Sequence, residues 1–360
     1  EAQSAANDNS IFQWEAIMRF SKFAATALAG VALAGFMPAT ANADAVSDFY
    51  KGRNITIFVG LSPGGLYSTW AQIFAKHFGK HVPGNPTVIV KHMPGAGGQK
   101  ALNYVYNAAP KDGTAIITPN SGVARNVILK RGNPKYDPTK FRWLGGWGEP
   151  STVLSLLKHL TPVRSLKDAT KQQVILGAIS KSSITYLLPA MYNNLLGTKF
   201  KIIAGYKGGS KVRLAMEKGE VQGWSGQLAG WVSRKPEWLR DDKLVHLVQL
   251  SSKRSPILPN TPLLSELAKN DTQKEMFNFL QSGKGDRATA LPPGVPADRA
   301  MALEKAYQAT IRDAAFQADA KKRKFKTDPL TAAEVLGSMK QALAMKSATL
   351  MALKKALGGK

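Results

Sequence analysis

The 360-residue sequence contains no cysteine. This absence excludes disulfide bonds, thiolate catalysis and cysteine-ligated zinc or iron–sulfur sites. Acidic residues are also scarce, because only 24 of them oppose 49 lysines and arginines, which leaves a formal net charge of +25. Such an excess of positive charge is typical of proteins that bind a nucleic acid, an acidic surface or an anionic small ligand. Composition alone leaves these three classes of partner open.

Long apolar runs are confined to the N-terminal region. Residues 23–37 are apolar and uncharged, follow two basic residues, and precede the small-x-small pattern Ala41-Asn42-Ala43. This arrangement predicts a cleaved secretory signal peptide over residues 18–43, and therefore an exported protein. An uncleaved anchor is the alternative, although the run is short for a membrane span. Residues 1–17 precede this signal and are interpreted as an extraneous N-terminal segment.

Strand-like and helix-like segments alternate after residue 54. The segments "NITIFVG" (54–60), "TVIVKHM" (87–93), "VILGAIS" (174–180) and "FKIIAGY" (200–206) are rich in β-branched residues, and helical patterns follow them. This alternation predicts the α/β class, with parallel sheets covered by helices. Because the rhythm occurs twice without a low-complexity linker, we expect two compact lobes. Residues 44–150 with 266–360 are predicted to form lobe one, and residues 151–265 lobe two.

Four turns combine glycine or serine with the start of a predicted helix. They are "LSPGGLYS" (61–68), "MPGAGGQK" (93–100), "AISKSSIT" (178–185) and "GYKGGSK" (205–211). In a parallel sheet such turns gather at the carboxyl ends of the strands, where helix starts present unpaired N–H groups and partial positive charge. Each turn is therefore a candidate anion site, although a single glycine turn is more often only a tight turn.

The turns do not match the nucleotide-binding patterns. Lys100 occupies the third glycine position of G-x-G-x-x-G, and Ser210 occupies the position of the glycine that precedes the lysine of a P-loop. A carboxylate requires only a few N–H groups and hydroxyls, without a metal or cofactor. A carboxylate therefore suits these turns, and no cofactor is expected. A carboxylate introduced into the second turn by Gly97→Asp is expected to abolish binding.

Several long segments resemble one family. They are "YKGRNITIFVGLSPGGLYSTWAQIFAKHF", "HVPGNPTVIVKHMPGAGGQKALNYVYNAAPKDGT", "AGYKGGSKVRLAMEKGEVQGW" and the later "LPPGVPADRAMALEKAYQATIRDAAFQADAKK". They look like the solute-binding proteins of tripartite tricarboxylate transporters, the TctC or Bug family. The resemblance implies a periplasmic, monomeric, two-lobed binding protein of type II, a Venus flytrap with its ligand cleft between the lobes. It also implies no enzymatic turnover and delivery of the carboxylate to a membrane permease.

The resemblance also implies which residues enclose the ligand. Tyr67 and Trp224 are expected to lie on either side of its aliphatic or aromatic part. Ser68 stands where the family frequently has an aspartate, so a plain organic acid, aliphatic or aromatic, is favoured over an amino acid. The predicted ligand-binding residues are Ser62, Pro63, Gly64, Gly65, Tyr67, Ser68, Pro94, Gly95, Ala96, Gly97, Gly98, Asn120, Ser121, Ser180, Lys181, Ser182, Ser183, Tyr206, Lys207, Gly208, Gly209 and Trp224.

A basic nucleic-acid-binding protein is the first alternative. The run "KKRKFK" (321–326) precedes leucines at every seventh position from Leu336 to Leu357, which imitates a basic leucine zipper. Pro329 interrupts the continuous helix that such a motif requires, so we interpret the leucines as a packing face.

A secreted serine hydrolase of the penicillin-interacting type is the second alternative. Ser155 and Lys158 match S-x-x-K, but their segment reads as a strand on which the two side chains point to opposite faces. The histidines are scattered, and His77 and His81 are expected at the surface of a helix without a metal.

Overall fold

The computed structural model describes residues 40–120, 122–148, 150–281, 287–325 and 327–358, except for the side chains of 40–44 and 281. Ser121, residues 1–17 and most of the predicted signal peptide lie outside the described residues. Within the described part of the chain, no helix combines the length and apolar character that a bilayer crossing demands.

Strands and helices alternate through the described chain. The strands are β1 (Asn54–Val59), β2 (Thr87–His92), β3 (Ala115–Thr118), β4 (Arg142–Gly146), β5 (Thr152–Leu157), β6 (Val174–Ala178), β7 (Phe200–Ala204), β8 (Gly223–Gln227), β9 (Leu244–Leu250) and β10 (Ala288–Leu291). The helices are α1 (Thr40–Tyr50), α2 (Leu66–Phe78), α3 (Gln99–Asn107), α4 (Val123–Ile128), α5 (Asp168–Lys171), α6 (Ile184–Leu196), α7 (Gly209–Glu217), α8 (Leu228–Arg234), α9 (Pro236–Arg240), α10 (Asp271–Gln281), α11 (Ala297–Arg312), α12 (Ala314–Lys322), α13 (Ala332–Leu343) and α14 (Ser347–Ala356).

The strands form two five-stranded sheets with the same internal plan. The first has the order β2-β1-β3-β10-β4 and the second the order β7-β6-β8-β5-β9. In each sheet four strands run in one direction, and the fourth strand in the order runs antiparallel to both of its neighbours. The chain passes from the first sheet to the second between β4 and β5 and returns between β9 and β10. Two α/β lobes follow from this path.

Burial along each strand reflects its place in the sheet. The inner strands β3 and β5 are buried at every residue, because helices or neighbouring segments cover both faces. The edge strands β2 and β7 alternate between exposed and half-buried residues after their first position. Lys91 and Lys201 lie on these edges, and charged edge residues discourage pairing with another chain.

Helix α2 packs its aromatic face into the core of the first lobe. Trp70, Phe74 and Phe78 recur at every fourth residue and are fully buried, as helical spacing predicts. Trp70 stacks on Trp147 with ring centroids 4.2 Å apart. The expectation of a surface position is wrong for His77, which is buried and pairs with Asp319 of α12 at 2.8 Å.

The C-terminal helices contact both lobes. Helices α11 and α13 pack on β4, and α12 packs on α2, all in the first lobe. Helix α14 contacts α6 and α10 instead, and Asn194 of α6 donates a hydrogen bond to the Ala356 carbonyl at 2.9 Å. Leu357 belongs to the buried core, and Leu336, Leu343 and Leu350 pack against it. The interpretation of this leucine series as a packing face is therefore confirmed.

Candidate functional site

A small enclosed cavity of about 50 Å³ lies between the two sheets. Residues of both lobes form its wall, and most of them follow the carboxyl ends of β1, β6 and β7, as expected for ligand sites in open α/β sheets. The wall consists of Leu61, Ser62, Gly65, Leu66, Tyr67, Ser68, Asn120, Thr152, Ile179, Ser183, Ile184, Thr185, Gly208, Gly209, Arg213, Trp224, Ser225, Gln227 and Gly230.

Three helices begin at this cavity. The residues that precede α2, α6 and α7 are Gly65, Ser183 and Gly208, and all three line the wall. None of these residues caps its helix with a side-chain hydrogen bond, and no acidic residue occupies the first turn of any of the three helices. The first N–H groups of each helix have no intrahelical partner and carry the positive end of the helix dipole. The three starts therefore concentrate partial positive charge on one small volume.

The serine turn before α6 is fixed by its own hydrogen bonds. The Ser183 hydroxyl donates to the Ser180 carbonyl at 2.8 Å, and the Ser180 and Ser182 hydroxyls lie 3.0 Å apart. Thr185 accepts from the Ile179 amide at 3.0 Å. These side chains therefore bond within the turn, and Ser183, Ile184 and Thr185 at the helix start line the cavity.

Direct hydrogen bonds join the two lobes around the cavity. The Ser62 amide donates to the Lys207 carbonyl at 3.0 Å. On the other side, the Gln227 amide group donates to the Tyr67 hydroxyl at 2.9 Å and accepts from the Arg287 guanidinium at 2.6 Å. These contacts require the lobes to be close together, so the structure corresponds to a closed cleft.

The Pro94–Gly98 turn lies behind the cavity wall. Asn120, which does line the cavity, donates from its side-chain amide to the Gly97 carbonyl in a very short hydrogen bond. A Cβ atom on Gly98 would lie 1.7 Å from the Asn120 side-chain oxygen, and one on Gly97 would lie 2.2 Å from the Ser180 hydroxyl of the second lobe. The glycines of this turn therefore let Asn120 approach and let the lobes meet.

The structure brings the four predicted turns to one place but gives them different positions. Of the predicted residues, those that line the cavity are Ser62, Gly65, Tyr67, Ser68, Asn120, Ser183, Gly208, Gly209 and Trp224. Those that do not form part of the wall are Pro63, Gly64, Pro94, Gly95, Ala96, Gly97, Gly98, Ser180, Lys181, Ser182, Tyr206 and Lys207. Ser121 lies outside the described residues. As ligand-binding residues, all of these stay predictions.

Sequence reasoning missed five polar residues of the wall: Thr152, Thr185, Arg213, Ser225 and Gln227. Three of them belong to β5 and β8, which carry no turn signature. The position of Arg213 could have been predicted. It lies one helical turn after Gly209, and side chains on a helix tilt toward the start of the helix.

Several polar groups of the wall are available to a ligand. The Trp224 indole nitrogen, the Ser225 hydroxyl and the Asn120 side-chain oxygen are buried without a hydrogen-bond partner among the described residues. Buried polar groups normally have partners, so three unpartnered groups on the wall of one cavity favour a ligand site there. Ser68 differs, since its hydroxyl shares a 2.8 Å hydrogen bond with His92. Burial lowers the pKa of His92, which favours the neutral imidazole beside this hydroxyl.

The serine and the lysine of the S-x-x-K match contact different residues and not each other. Ser155 is fully buried on β5 and lies 2.9 Å from the Nδ1 atom of His246, whereas Lys158 pairs with Asp242. Lys158 therefore does not serve Ser155 as a base. In the part of the chain that the structure describes, no group of three or more His, Asp or Glu side chains is arranged to hold a metal ion.

Two sheets of the same plan, a double passage between them and a cleft at the carboxyl ends of their strands define a class of protein. This is the α/β fold of the two-lobed periplasmic binding proteins of type II, which confirms the predicted fold.

Solved structures share the fold. The periplasmic binding protein BugD has a TM-score of 0.68 at 20% identity, over 85% of this chain and 98% of its own. MatC from Rhodopseudomonas palustris, solved with bound malate, has a TM-score of 0.64 at 17% identity, over 85% and 99%. Another R. palustris protein, solved with adipate, has a TM-score of 0.65 at 20% identity, over 85% and 97%. No family model matches this sequence, and no curated protein matches it either.

Proposed function

We propose that this chain is an extracytoplasmic solute-binding protein that captures an organic carboxylate in the cleft between its lobes. The observation that carries the proposal is the convergence of three uncapped helix starts, those of α2, α6 and α7, on one enclosed cavity. Anions bind at helix starts because the N–H groups and the dipole both favour negative charge. The protein binds its ligand without chemical turnover.

The expected affinity follows from several small contributions. One helix start contributes about 0.3–1 kcal/mol when exposed and up to about 2 kcal/mol when partly buried. Three starts, the free hydrogen-bond donors of Trp224 and Ser225, and the apolar wall together are sufficient for micromolar binding, which corresponds to about −8 kcal/mol. Closure of the lobes adds to this by excluding water from the anion.

The wall favours an acid without an amine. No acidic side chain is among the described residues that line the cavity, so an ammonium group would lack an anionic partner there. Ser68 occupies the position at which the TctC or Bug family frequently has an aspartate. Its hydroxyl forms a hydrogen bond with His92. The structural neighbours solved with malate and adipate make dicarboxylates the first compounds to test.

The remaining features of the proposal come from the family resemblance. The chain would belong to the TctC or Bug family, reside in the periplasm after removal of residues 18–43, act as a monomer and pass its ligand to the permease of a tripartite tricarboxylate transporter. The division into 44–150 with 266–360 and 151–265 stays a proposal. Sheet membership supports it, whereas the contacts of α10 with β9 and of α14 with α6 favour assigning these helices to the second lobe.

A thermal-shift screen of the full chain tests the proposal. We expect one or more mono-, di- or tricarboxylates, aliphatic or aromatic, to raise the melting temperature in a saturable manner, because a ligand that binds only the folded state stabilises it. Matched amides, such as adipamide beside adipate, serve as controls and should have no effect. Stabilisation by amides as large as that by acids, or tight salt-sensitive retention of duplex DNA without any response to acids, would contradict the proposal.

A further inference from the structure

Arg213 places a positive charge on the wall of the cleft. It lies in α7, one turn after Gly209, and its side chain is 5% exposed. Its guanidinium lies near the helix start, since Cβ atoms added to Gly209 or Gly230 would each lie 3.4 Å from its Nη1 atom. Both glycines line the cavity, so they leave the guanidinium open toward it.

The buried guanidinium lacks an anionic partner. It makes no hydrogen bond and no ion pair with any residue that the structure describes. Glu217, the acidic residue that raises its pKa, is itself paired with Lys235. The contact that Arg213 does make is with the face of Trp224, whose ring centroid lies 5.7 Å from its Cζ atom.

The surroundings of Arg213 raise the free-energy cost of its positive charge. Burial and then the nearby charge of Arg234 lower the pKa of Arg213 to about 10, so it remains protonated at neutral pH. A buried charge without a counter-charge destabilises a fold, and proteins retain one where a ligand or partner compensates it. An anion that enters the cavity would supply the missing counter-charge.

The geometry of the guanidinium specifies the anion further. The planar guanidinium can donate two parallel N–H hydrogen bonds to one carboxylate. A helix start alone does not offer this bidentate geometry. The start of α2, with Ser62 beside it, belongs to the opposite lobe and faces the same cavity. One carboxylate can therefore be held from each lobe.

We propose that Arg213 binds one carboxylate of a ligand that carries two, while the start of α2 receives the other, so that the cleft selects dianionic organic acids. This inference rests on the proposed function and adds a substrate class and a specificity-determining residue to it. Closure then brings the Arg213 cation and the partial positive charge of the α2 start to the two ends of one dianion, and a monoanion can occupy only one of these two positions.

Titration calorimetry with the full chain tests the inference. The probes are adipate and its monomethyl ester, which share the carbon chain and differ in one charge. The wild-type chain should bind adipate about 10- to 150-fold more tightly than the ester, because a charge-assisted hydrogen bond contributes about 1.5–3 kcal/mol. In Arg213→Met, adipate affinity should fall by about 10- to 150-fold, and the preference for adipate over the ester should shrink to less than about 3-fold.

Arg240→Met is the matched control, because it removes the same charge from an exposed site where the guanidinium pairs with Asp241 at 2.8 Å. Its affinities should equal those of the wild type. The ligand-free Arg213→Met variant should unfold at an unchanged or higher temperature, since it loses an uncompensated buried cation. A residue that only supports Trp224 would instead lower the melting temperature and leave the diacid preference intact.

The possible failures are distinguishable. If the wild-type chain binds no carboxylate, the proposed function itself is wrong. If it binds carboxylates but Arg213→Met keeps the preference for adipate, only the role of Arg213 is overturned. Should Arg213→Met fail to fold, Arg213→Lys replaces it, because lysine keeps the charge without the fork. Adipate affinity should then fall about 5- to 10-fold, and an unchanged affinity would overturn the inference.

Discussion

Gly97→Ala is predicted to weaken ligand binding by obstructing the contact between the lobes. Gly97 adopts a φ of 66° in the turn before α3. A Cβ atom there would lie 2.2 Å from the Ser180 hydroxyl and 3.1 Å from its Cβ atom, both in the second lobe. The added methyl group therefore overlaps the opposite lobe only when the cleft is closed. The expected effect of Gly97→Asp has the same origin, rather than a carboxylate placed inside the cavity.

The magnitude has two separable parts. The left-handed backbone costs an alanine about 1–2 kcal/mol in both the open and the closed form, so it lowers stability and leaves affinity unaffected. The overlap costs about 1–3 kcal/mol in the closed form alone, as overpacking of a tight site does. The dissociation constant should therefore rise by about 5- to 150-fold.

Gly197→Ala is the matched control. Gly197 ends α6 with a φ of 71°, and no atom lies within 4 Å of the position of its added Cβ. This variant should lose about the same stability in urea unfolding and keep the affinity of the wild type. Ser180→Gly combined with Gly97→Ala removes the overlapping atoms and should restore binding. Unchanged affinity in Gly97→Ala, or no recovery in the double variant, would refute the reasoning.

Further predictions concern pH and the contact between the lobes. Burial lowers the pKa of His246 from 6.5 to about 4, so stability present above pH 6.5 should fall by roughly 3 kcal/mol as the pH drops toward 4. His246→Asn should flatten this dependence in urea titrations, and an unchanged slope would contradict it. Lys76 and His77 lower the pKa of Asp319 from 3.8 to about 2, so its stabilising effect should disappear as the pH falls from about 4 to 2. Asp319→Asn should remove that acid-induced loss, which unfolding monitored by circular dichroism would detect. Tyr67→Phe removes the hydroxyl that accepts from Gln227, so ligand affinity should fall about 5-fold with little change in melting temperature; a fall in stability without a fall in affinity would contradict it.

Local sequence signals were sufficient for many of the elements, but not for all of them and not for their assembly. The segments at 54–60 and 87–93 became β1 and β2 almost as predicted, because turn residues delimit short β-branched runs. Strand β10 (Ala288–Leu291) has no such signal, yet it occupies the place between β3 and β4. Its place depends on the return of the chain from the second lobe, which no local pattern encodes.

The candidate site was predictable where it lies on turns. Glycine and serine turns at the ends of parallel strands indicated the starts of α2, α6 and α7 from residue type alone. The glycine turn at Pro94–Gly98 has a different role. Because its glycines have no side chains, Asn120 and the second lobe can pack closely against it. Ser225 and Gln227 face the cavity from a strand, and only the packing of the closed lobes shows which strand residues do so.

A crystal structure of the full chain grown with adipate tests the proposed cleft most directly. We expect the diacid between the two sheets, with one carboxylate within hydrogen-bond distance of the first amides of α2 and the other within reach of α7 and Arg213. Adipate bound elsewhere on the surface, or held in the cavity with both carboxylates directed away from every helix start, would contradict the proposal that convergent helix starts bind an organic anion.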